Sequence, residues 1–298
     1  MNRVYTLAPK ESWIVDRFKQ EWDNDNSDTS VSDPNDADII WLFADWAWNQ
    51  LPNNLLTKKK VVTTVHHIVV EKFGEKELKD FQARDKITDI YHVPNEHTEV
   101  LVRSLTQKPI VLIPYWANQK IWRATDSKIN LRKKYNISVN SFVCGSFQRD
   151  TEGSDLVSPK LEKGPDLLCN FLEKIHENNN LHVVLAGWRR QYIISRLRAS
   201  GISYSYFELP SQEIVNELYQ ILDLYPVASR YEGGPQSLIE AGLLGVPVVS
   251  RNIGMAQQLL SNHSINNDIL KAIPSIPSVK HLTLPNGYDR YRKLFESL

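Results

Sequence analysis

A chain of 298 residues that is 42% apolar and 23% charged has core enough for one large or two modest globular domains. Lysine plus arginine equals aspartate plus glutamate at 35 each, so no overall field recruits nucleic acid or an anionic membrane. The two cysteines, Cys144 and Cys169, supply neither a disulfide framework nor a metal spacing and read as buried, reduced thiols.

Along the chain, short β-branched runs alternate with helical patterns, which predicts parallel sheets with helices on their faces. Val4–Ala8 is the first predicted strand, and the apolar run around it is too short for a signal peptide. No segment reaches the length of a membrane span, so a cytoplasmic protein is expected, with peripheral membrane contact left open. A helix is predicted over Glu11–Trp22. Residues 21–38 hold seven acidic side chains and no basic one among Asn, Ser and Thr, the composition of a solvated, mobile loop. Further strands fall at Asp38–Phe43, Val61–Val65, Ile90–Val93 and Ile110–Ile113, with helices over Glu75–Lys86 and Glu96–Ser104.

After a junction near Tyr115–Asn130 the rhythm resumes. Strands are predicted at Ser141–Phe147, His182–Ala186, Tyr204–Glu208, Leu222–Ala228 and Val246–Ser250. Helices fit Gly164–Glu177, Arg189–Ser200, Gln212–Ile221 and Pro235–Leu244, and Ser211 is a good cap for the third of these. The segment Gly287–Leu298 places Tyr288, Tyr291, Leu294 and Phe295 on one helical face. Gly74 is the only glycine before Gly145, and the other eleven follow, so glycine-lined turns that admit phosphate belong to the second half.

The most informative stretch is Ser229-Arg230-Tyr231-Glu232-Gly233-Gly234-Pro235-Gln236-Ser237-Leu238-Ile239-Glu240-Ala241, followed by Gly245-Val246-Pro247-Val248-Val249. A strand leads into it, and Pro235 suits a first helical position. Gly233 and Gly234 let another molecule approach the backbone, and the N–H groups of Gln236, Ser237 and Leu238 attract an anion such as phosphate. Glu232 and Glu240, eight positions apart, would meet a ligand lying along that helix start at its two ends. Donors for a diphosphate flanked by carboxylates for hydroxyls are what a sugar–diphosphate–nucleoside requires. Other signatures are missing: there is no G-x4-G-K-[ST], G-x-G-x-x-G, H-E-x-x-H or G-x-S-x-G. Asp23-Asn24-Asp25 and Asp36-Ala37-Asp38 spell D-x-D, a pattern that can hold a divalent metal, but both fall in the acidic loop and read as solvated acids.

These residues resemble the E-x7-E signature of group 1, family 4-like glycosyltransferases of the GT-B fold, which reads S-x-x-E-G-x-P-x-x-x-x-E-A followed by G-x-P-V-V. The resemblance implies two Rossmann-like doubly wound domains facing a cleft. An acceptor-side domain would span residues 1–125, a nucleotide-sugar donor domain residues 126–286, and the helix 287–298 would pack back on the first. It implies transfer of a sugar from a nucleotide-diphosphate sugar to a hydroxyl acceptor (a glycan, lipid-linked sugar or small molecule), with retention and with no metal or other cofactor. No oligomeric state follows from it.

Further segments take their meaning from the same resemblance. Gly145-Ser146-Phe147-Gln148-Arg149 and Glu162-Lys163-Gly164 are similar to the family's G-R and E-K-G elements, so Arg149 and Lys163 would neutralise the diphosphate. Here, however, thirteen residues separate Arg149 from Lys163, and the inserted 150–161 reads as a flexible loop, a candidate lid. Val61–His67 resembles the V-x-T-x-H-D segment, in which His66 would contact the reacting sugar, although His67 stands where the family has aspartate and either ring could point inward. Ile113-Pro114-Tyr115-Trp116 replaces I-P-N-G, with Tyr115 and Trp116 either stacking on an acceptor or filling a hinge. The turn Ala8–Trp13 lacks the family's glycines, so Glu11, Ser12 and Trp13 are acceptor-side candidates by position only. Alternatives outside transfer are a sugar-nucleotide-binding protein without catalysis and a GT-B sugar-nucleotide epimerase.

Overall fold

A computed structural model describes residues 2–10 and 14–298; Glu11, Ser12 and Trp13 lie outside the described residues. By internal contacts the chain divides into two compact units, Met1–Tyr115 with Tyr288–Leu298, and Trp116–Gly287. The first unit runs β1 (Val4–Leu7), α1 (Ile14–Asp25), β2 (Ile39–Leu42), α2 (Asn53–Leu56), β3 (Lys60–Thr64), α3 (Glu75–Asp85), β4 (Ile90–Val93), α4 (Glu96–Arg103) and β5 (Ile110–Leu112). The second continues α5 (Lys128–Lys134), β6 (Phe142–Ser146), α6 (Pro165–His176), β7 (Leu181–Ala186), α7 (Gln191–Ala199), β8 (Ser203–Phe207), α8 (Gln212–Gln220), β9 (Tyr225–Val227), α9 (Gln236–Leu243), β10 (Val248–Ser250) and α10 (Ala256–Leu259). Helix α11 (Asp289–Glu296) ends the chain. No helix of the described residues is long and apolar enough to cross a membrane.

The first sheet is parallel in the order β1-β2-β3-β4-β5. Its strand order advances in one direction throughout, a departure from doubly wound topology, in which the order reverses. An aromatic core ties α11 to it. Buried Trp22 of α1 meets Trp41, Tyr288 and Phe295 edge-on, with centroids 5.4, 5.3 and 5.5 Å apart. That packing corrects the expectation of a solvated loop over 21–38. Glu21, Trp22 and Asn26 are buried, and the Asn26 side-chain oxygen Oδ1 accepts from Arg292 Nε at 2.7 Å. Ser30 bridges Val4, and Asp33 caps a short turn at Pro34–Asp36. Most of the acidic side chains after Glu21 face water while Trp22, Asn26 and Ala37 between them are buried, which composition alone conceals. Beneath this core His92 is fully buried: Nε2 donates to Ile113 O at 2.8 Å, and Nδ1 accepts from Thr64 Oγ1, itself the acceptor of Trp41 Nε1–H. Burial pulls its pKa down to about 3.

In the second unit β6-β7-β8 form one parallel sheet and β10-β9 a parallel pair. The two join where Gly145 N donates to Leu224 O at 3.1 Å and Leu224 N to Val143 O at 3.2 Å. The order is therefore β10-β9-β6-β7-β8. The chain winds outward from β6 to β8, then returns to the other side of β6, and this reversal between β6 and β9 is a topological switch point. Cys144, Leu168, Cys169, Leu172 and Val183 share the core under it; both thiols are free and buried, and burial pushes Cys169 up to about 12.

Candidate functional site

Ligands of open α/β sheets bind beyond the carboxyl ends of strands at the switch point. Here those ends are the connections from β6 to α6 and from β9 to α9. The connections are stitched together. Arg230 N and Tyr231 N both donate to Glu162 O, at 2.7 and 3.2 Å. The Arg230 guanidinium forks onto Asp166 at 2.8 and 2.6 Å, which holds that carboxyl below the usual range. Gln148 Nε2 donates to Lys163 O at 2.9 Å. Close approach depends on Gly164, in the left-handed region at φ 61°, because a Cβ there would lie 2.1 Å from Ala228 O. Gly254 similarly lets its segment press on the β9–α9 loop, where a Cβ would lie 2.7 Å from Gly233 O.

This stitching brings together Lys163 and Glu232, which the sequence separates by a whole series of elements. Lys163 Nζ lies 2.6 Å from Glu232 Oε1, and the same oxygen accepts from Ser229 Oγ at 3.0 Å. Both side chains keep some exposure, 22% and 13%. Glu240 sits deeper, at 8% exposure, and its Oε2 accepts from Tyr219 OH at 2.9 Å. Burial first, and the Glu240 charge second, push the Tyr219 phenol well above its ordinary pKa. Helix α9 starts at Gln236, one residue later than expected, because Pro235 has an extended ψ of 110° and takes the cap position. The Leu238 amide donates to Pro235 O at 2.9 Å, so the anion-directed set expected over Gln236, Ser237 and Leu238 contracts to the first two.

The insertion 150–161 is not a loose loop. Thr151 and Pro159 form an antiparallel bridge, Glu152 N donates to Ser158 O at 2.9 Å, and Lys160 N donates to Asp150 O at 2.8 Å. The hairpin so formed returns the chain beside its starting point, which restores the short path from Arg149 to Lys163 that the residue count lacks. Its root is Asp150, buried against the fully buried Arg190, with Nε–Oδ2 at 3.1 Å. Arg190 also donates to Ser146 Oγ at 2.8 Å and to Ala186 O at 2.9 Å, fixing the end of β6. Burial raises the Asp150 carboxyl pKa, with the Arg190 charge opposing. Arg190 carries little signal in the sequence, only a basic pair, Arg189-Arg190, that follows a strand, Gly187 and Trp188.

In the first unit, His66 Nε2 donates to Phe43 O at 2.7 Å, and Nδ1 accepts from Tyr115 OH. Burial lowers the His66 pKa, so the ring is neutral at pH 7. His66 is the inward ring of the pair and His67 is exposed. Tyr115 and Trp116 are both buried, so they pack and do not present a stacking face. The D-x-D acids are held elsewhere: Asp23 pairs with Lys19 at 2.5 Å and Asp38 with Arg3 at 3.5 Å. Among the described residues no three His, Cys, Asp or Glu side chains converge as a metal site.

Residues 159–276, within the second unit, match the family of glycosyl transferases, group 1. A curated relative, the O-antigen biosynthesis glycosyltransferase WclY of Escherichia coli, is 25% identical over 146 residues, 48% of this chain; the match spans only 38% of that protein's length. Among solved structures, Anabaena Alr3699/HepE in complex with UDP and glucose has a TM-score of 0.70 at 13% identity, covering 88% of this chain and 84% of its own. Sucrose-phosphate synthase of Thermosynechococcus elongatus has a TM-score of 0.62 at 16% identity, covering 89% and 69%. The α/β fold with parallel sheets is that of these GT-B structures.

Proposed function

We propose, from the premise that the second unit is a group 1 glycosyltransferase domain, that the chain moves a sugar from a nucleotide-diphosphate donor to a hydroxyl acceptor, with retention at the anomeric carbon and without a metal. The observation that carries this reading is the meeting of Lys163 and Glu232 at the β6/β9 switch point, with Gln148, next to Arg149 in the chain, bonded to Lys163 O. As the bond from sugar to diphosphate breaks, negative charge grows on the leaving oxygens. Fixed cations at Lys163 and Arg149, with the amides of Gln236 and Ser237, stabilise that charge more than the ground state, which lowers the barrier. Glu232 and the Gly233-Gly234 backbone would hold the donor-sugar hydroxyls, and Glu240 the ribose hydroxyls. Among the described residues no carboxylate is set out as a covalent nucleophile, so displacement on the front face is proposed, the departing phosphate taking the acceptor proton. His66 remains the candidate for contact with the reacting sugar; to hydrogen-bond it, the ring must exchange Phe43 O or Tyr115 OH for a substrate hydroxyl. UDP heads the donor list because HepE is solved with it, and a glycan or lipid-linked acceptor takes its support from the O-antigen role in the WclY name. A cytoplasmic site of action completes the proposal.

The second reading, a sugar-nucleotide-binding protein without transfer, draws on the engagement of both His66 nitrogens. Calorimetry with UDP-, GDP- and ADP-sugars, with and without EDTA, followed by NMR of the products, separates the readings. Binding unaffected by EDTA and an axial or equatorial linkage matching the donor supports the proposal. Loss of binding with EDTA overturns metal independence, and inversion overturns retention. Binding without turnover marks the binding module, and an altered donor sugar without acceptor marks an epimerase.

A further inference from the structure

The inserted hairpin delivers a cation that the resemblance does not account for. Lys160 closes the hairpin, its N–H on Asp150 O, so it stands beside the residue following Arg149. Three residues on, Lys163 N donates to Lys160 O at 2.9 Å in a single 3₁₀ turn, which keeps both lysines on the same short segment. Arg149, Lys160 and Lys163 are all half-buried. Among the described residues only Lys163 of the three has a carboxylate partner, Glu232. Burial, and then the Arg149 charge, lower the Lys160 pKa, with Lys163 adding to the effect and Glu162 and Glu152 offsetting it. Three like charges stand here in partial burial, only Glu232 in a direct ion pair and Glu162 and Glu152 offsetting at longer range, so an anion that joins the cations is favoured.

Resting on the donor-site reading above, we infer that Lys160 is a third ligand of the donor diphosphate, carried into the site by the hairpin. The hairpin then acts as a fixed bracket and not as a moving lid. Because Lys160 makes no ion pair in the free protein and sits among cations as well as carboxylates, its removal should not weaken the fold, and a substitution that weakens binding while sparing stability is the signature of a residue kept for its ligand.

The test titrates UDP, GDP and ADP into the full chain, then carries the tightest binder and its nucleoside monophosphate into Lys160→Met and Lys160→Arg. Lys160→Met is expected to bind the diphosphate about tenfold more weakly, the loss of one charged hydrogen bond. The monophosphate should lose clearly less, Lys160→Arg should stay near wild type, and the melting temperature of free Lys160→Met should equal or exceed that of wild type. Unchanged diphosphate affinity in Lys160→Met overturns the inference alone. So does an equal loss for both nucleotides, or a lowered melting temperature, since each marks a structural role. If the wild-type chain binds none of the three diphosphates, the donor-site reading itself falls.

Discussion

Gly164 offers a test in which the cost of backbone conformation and the cost of contact separate. Its φ of 61° is left-handed, and an alanine Cβ there would lie 2.1 Å from the backbone oxygen of Ala228, an atom that cannot swing away. Gly201, between α7 and β8, has φ +67° with nothing within 4 Å of the same Cβ position. Alanine at either position incurs the left-handed penalty, about 1–2 kcal/mol, and both gain alike from a stiffer unfolded chain. Only Gly164→Ala adds the clash, worth about 1–3 kcal/mol if it behaves as overpacking does elsewhere. Gly164→Ala should therefore be about 1–3 kcal/mol less stable than Gly201→Ala. Urea unfolding by circular dichroism measures this, with attention to the transition that bound nucleotide shifts, because that one belongs to the second unit. Moving residue 164 off Ala228 also displaces Lys163 from Glu232, so nucleoside diphosphate affinity should fall about tenfold or more in Gly164→Ala. Gly201 lies at the amino end of the edge strand β8, away from the carboxyl ends of β6 and β9, and its variant should bind normally. Equal stability of the two variants, or full affinity in Gly164→Ala, would refute the claim that this close approach builds the site.

Other residues give independent checks. Asp150→Ala leaves the Arg190 guanidinium buried without its counter-charge, and a loss of about 3–5 kcal/mol is expected in the same urea assay; the double variant Asp150→Ala with Arg190→Met should recover part of it, and no recovery would show that the pair is not the root of the hairpin. Glu240→Gln keeps an acceptor for Tyr219 OH, so the melting temperature should hold while nucleoside diphosphate binding weakens about tenfold; unchanged affinity removes its ribose role. His92, at about 3 when folded against 6.5 ordinarily, takes its proton first in the unfolded chain. Its contribution is whole above pH 6.5 and is lost as pH falls toward 3, at up to about 1.4 kcal/mol per pH unit, and His92→Gln should flatten stability over that window.

The alternating pattern of apolar runs located every strand of both sheets to within a few residues, because a buried parallel strand needs a continuous β-branched run whatever surrounds it. Short, polar α5 escaped, since a helix of only about two turns, Lys128–Lys134 capped by Ser127, carries little periodicity. The acidic stretch 21–38 misled for a related reason. Composition averages over residues, whereas burial is decided one side chain at a time, and Trp22 and Asn26 settle that segment although acids outnumber them. Lys163, Glu232 and Glu240 stand out as candidates in the sequence by their types and spacing, and the structure pairs the first two. Their partners Ser229, Tyr219 and Gln148 do not stand out, since these contacts depend on which strands become neighbours.

That dependence explains why an insertion could enter the site without dismantling it. The segments of Arg149 and Lys163 come together because Gln148, next to Arg149, donates to Lys163 O and because Gly164 lets the segment ahead of α6 rest on Ala228. Neither condition counts residues along the chain between positions 149 and 163. A hairpin closed by the Thr151–Pro159 bridge and rooted on the Asp150–Arg190 pair therefore adds length without adding distance. The closing residue must then lie beside Arg149, and in this chain that residue is a lysine. In the proposed donor site, a device that keeps the segments of Arg149 and Lys163 together thus brings Lys160 in with them, so the altered spacing that sets this chain apart in sequence becomes the part of its candidate site with the most specific chemistry to test.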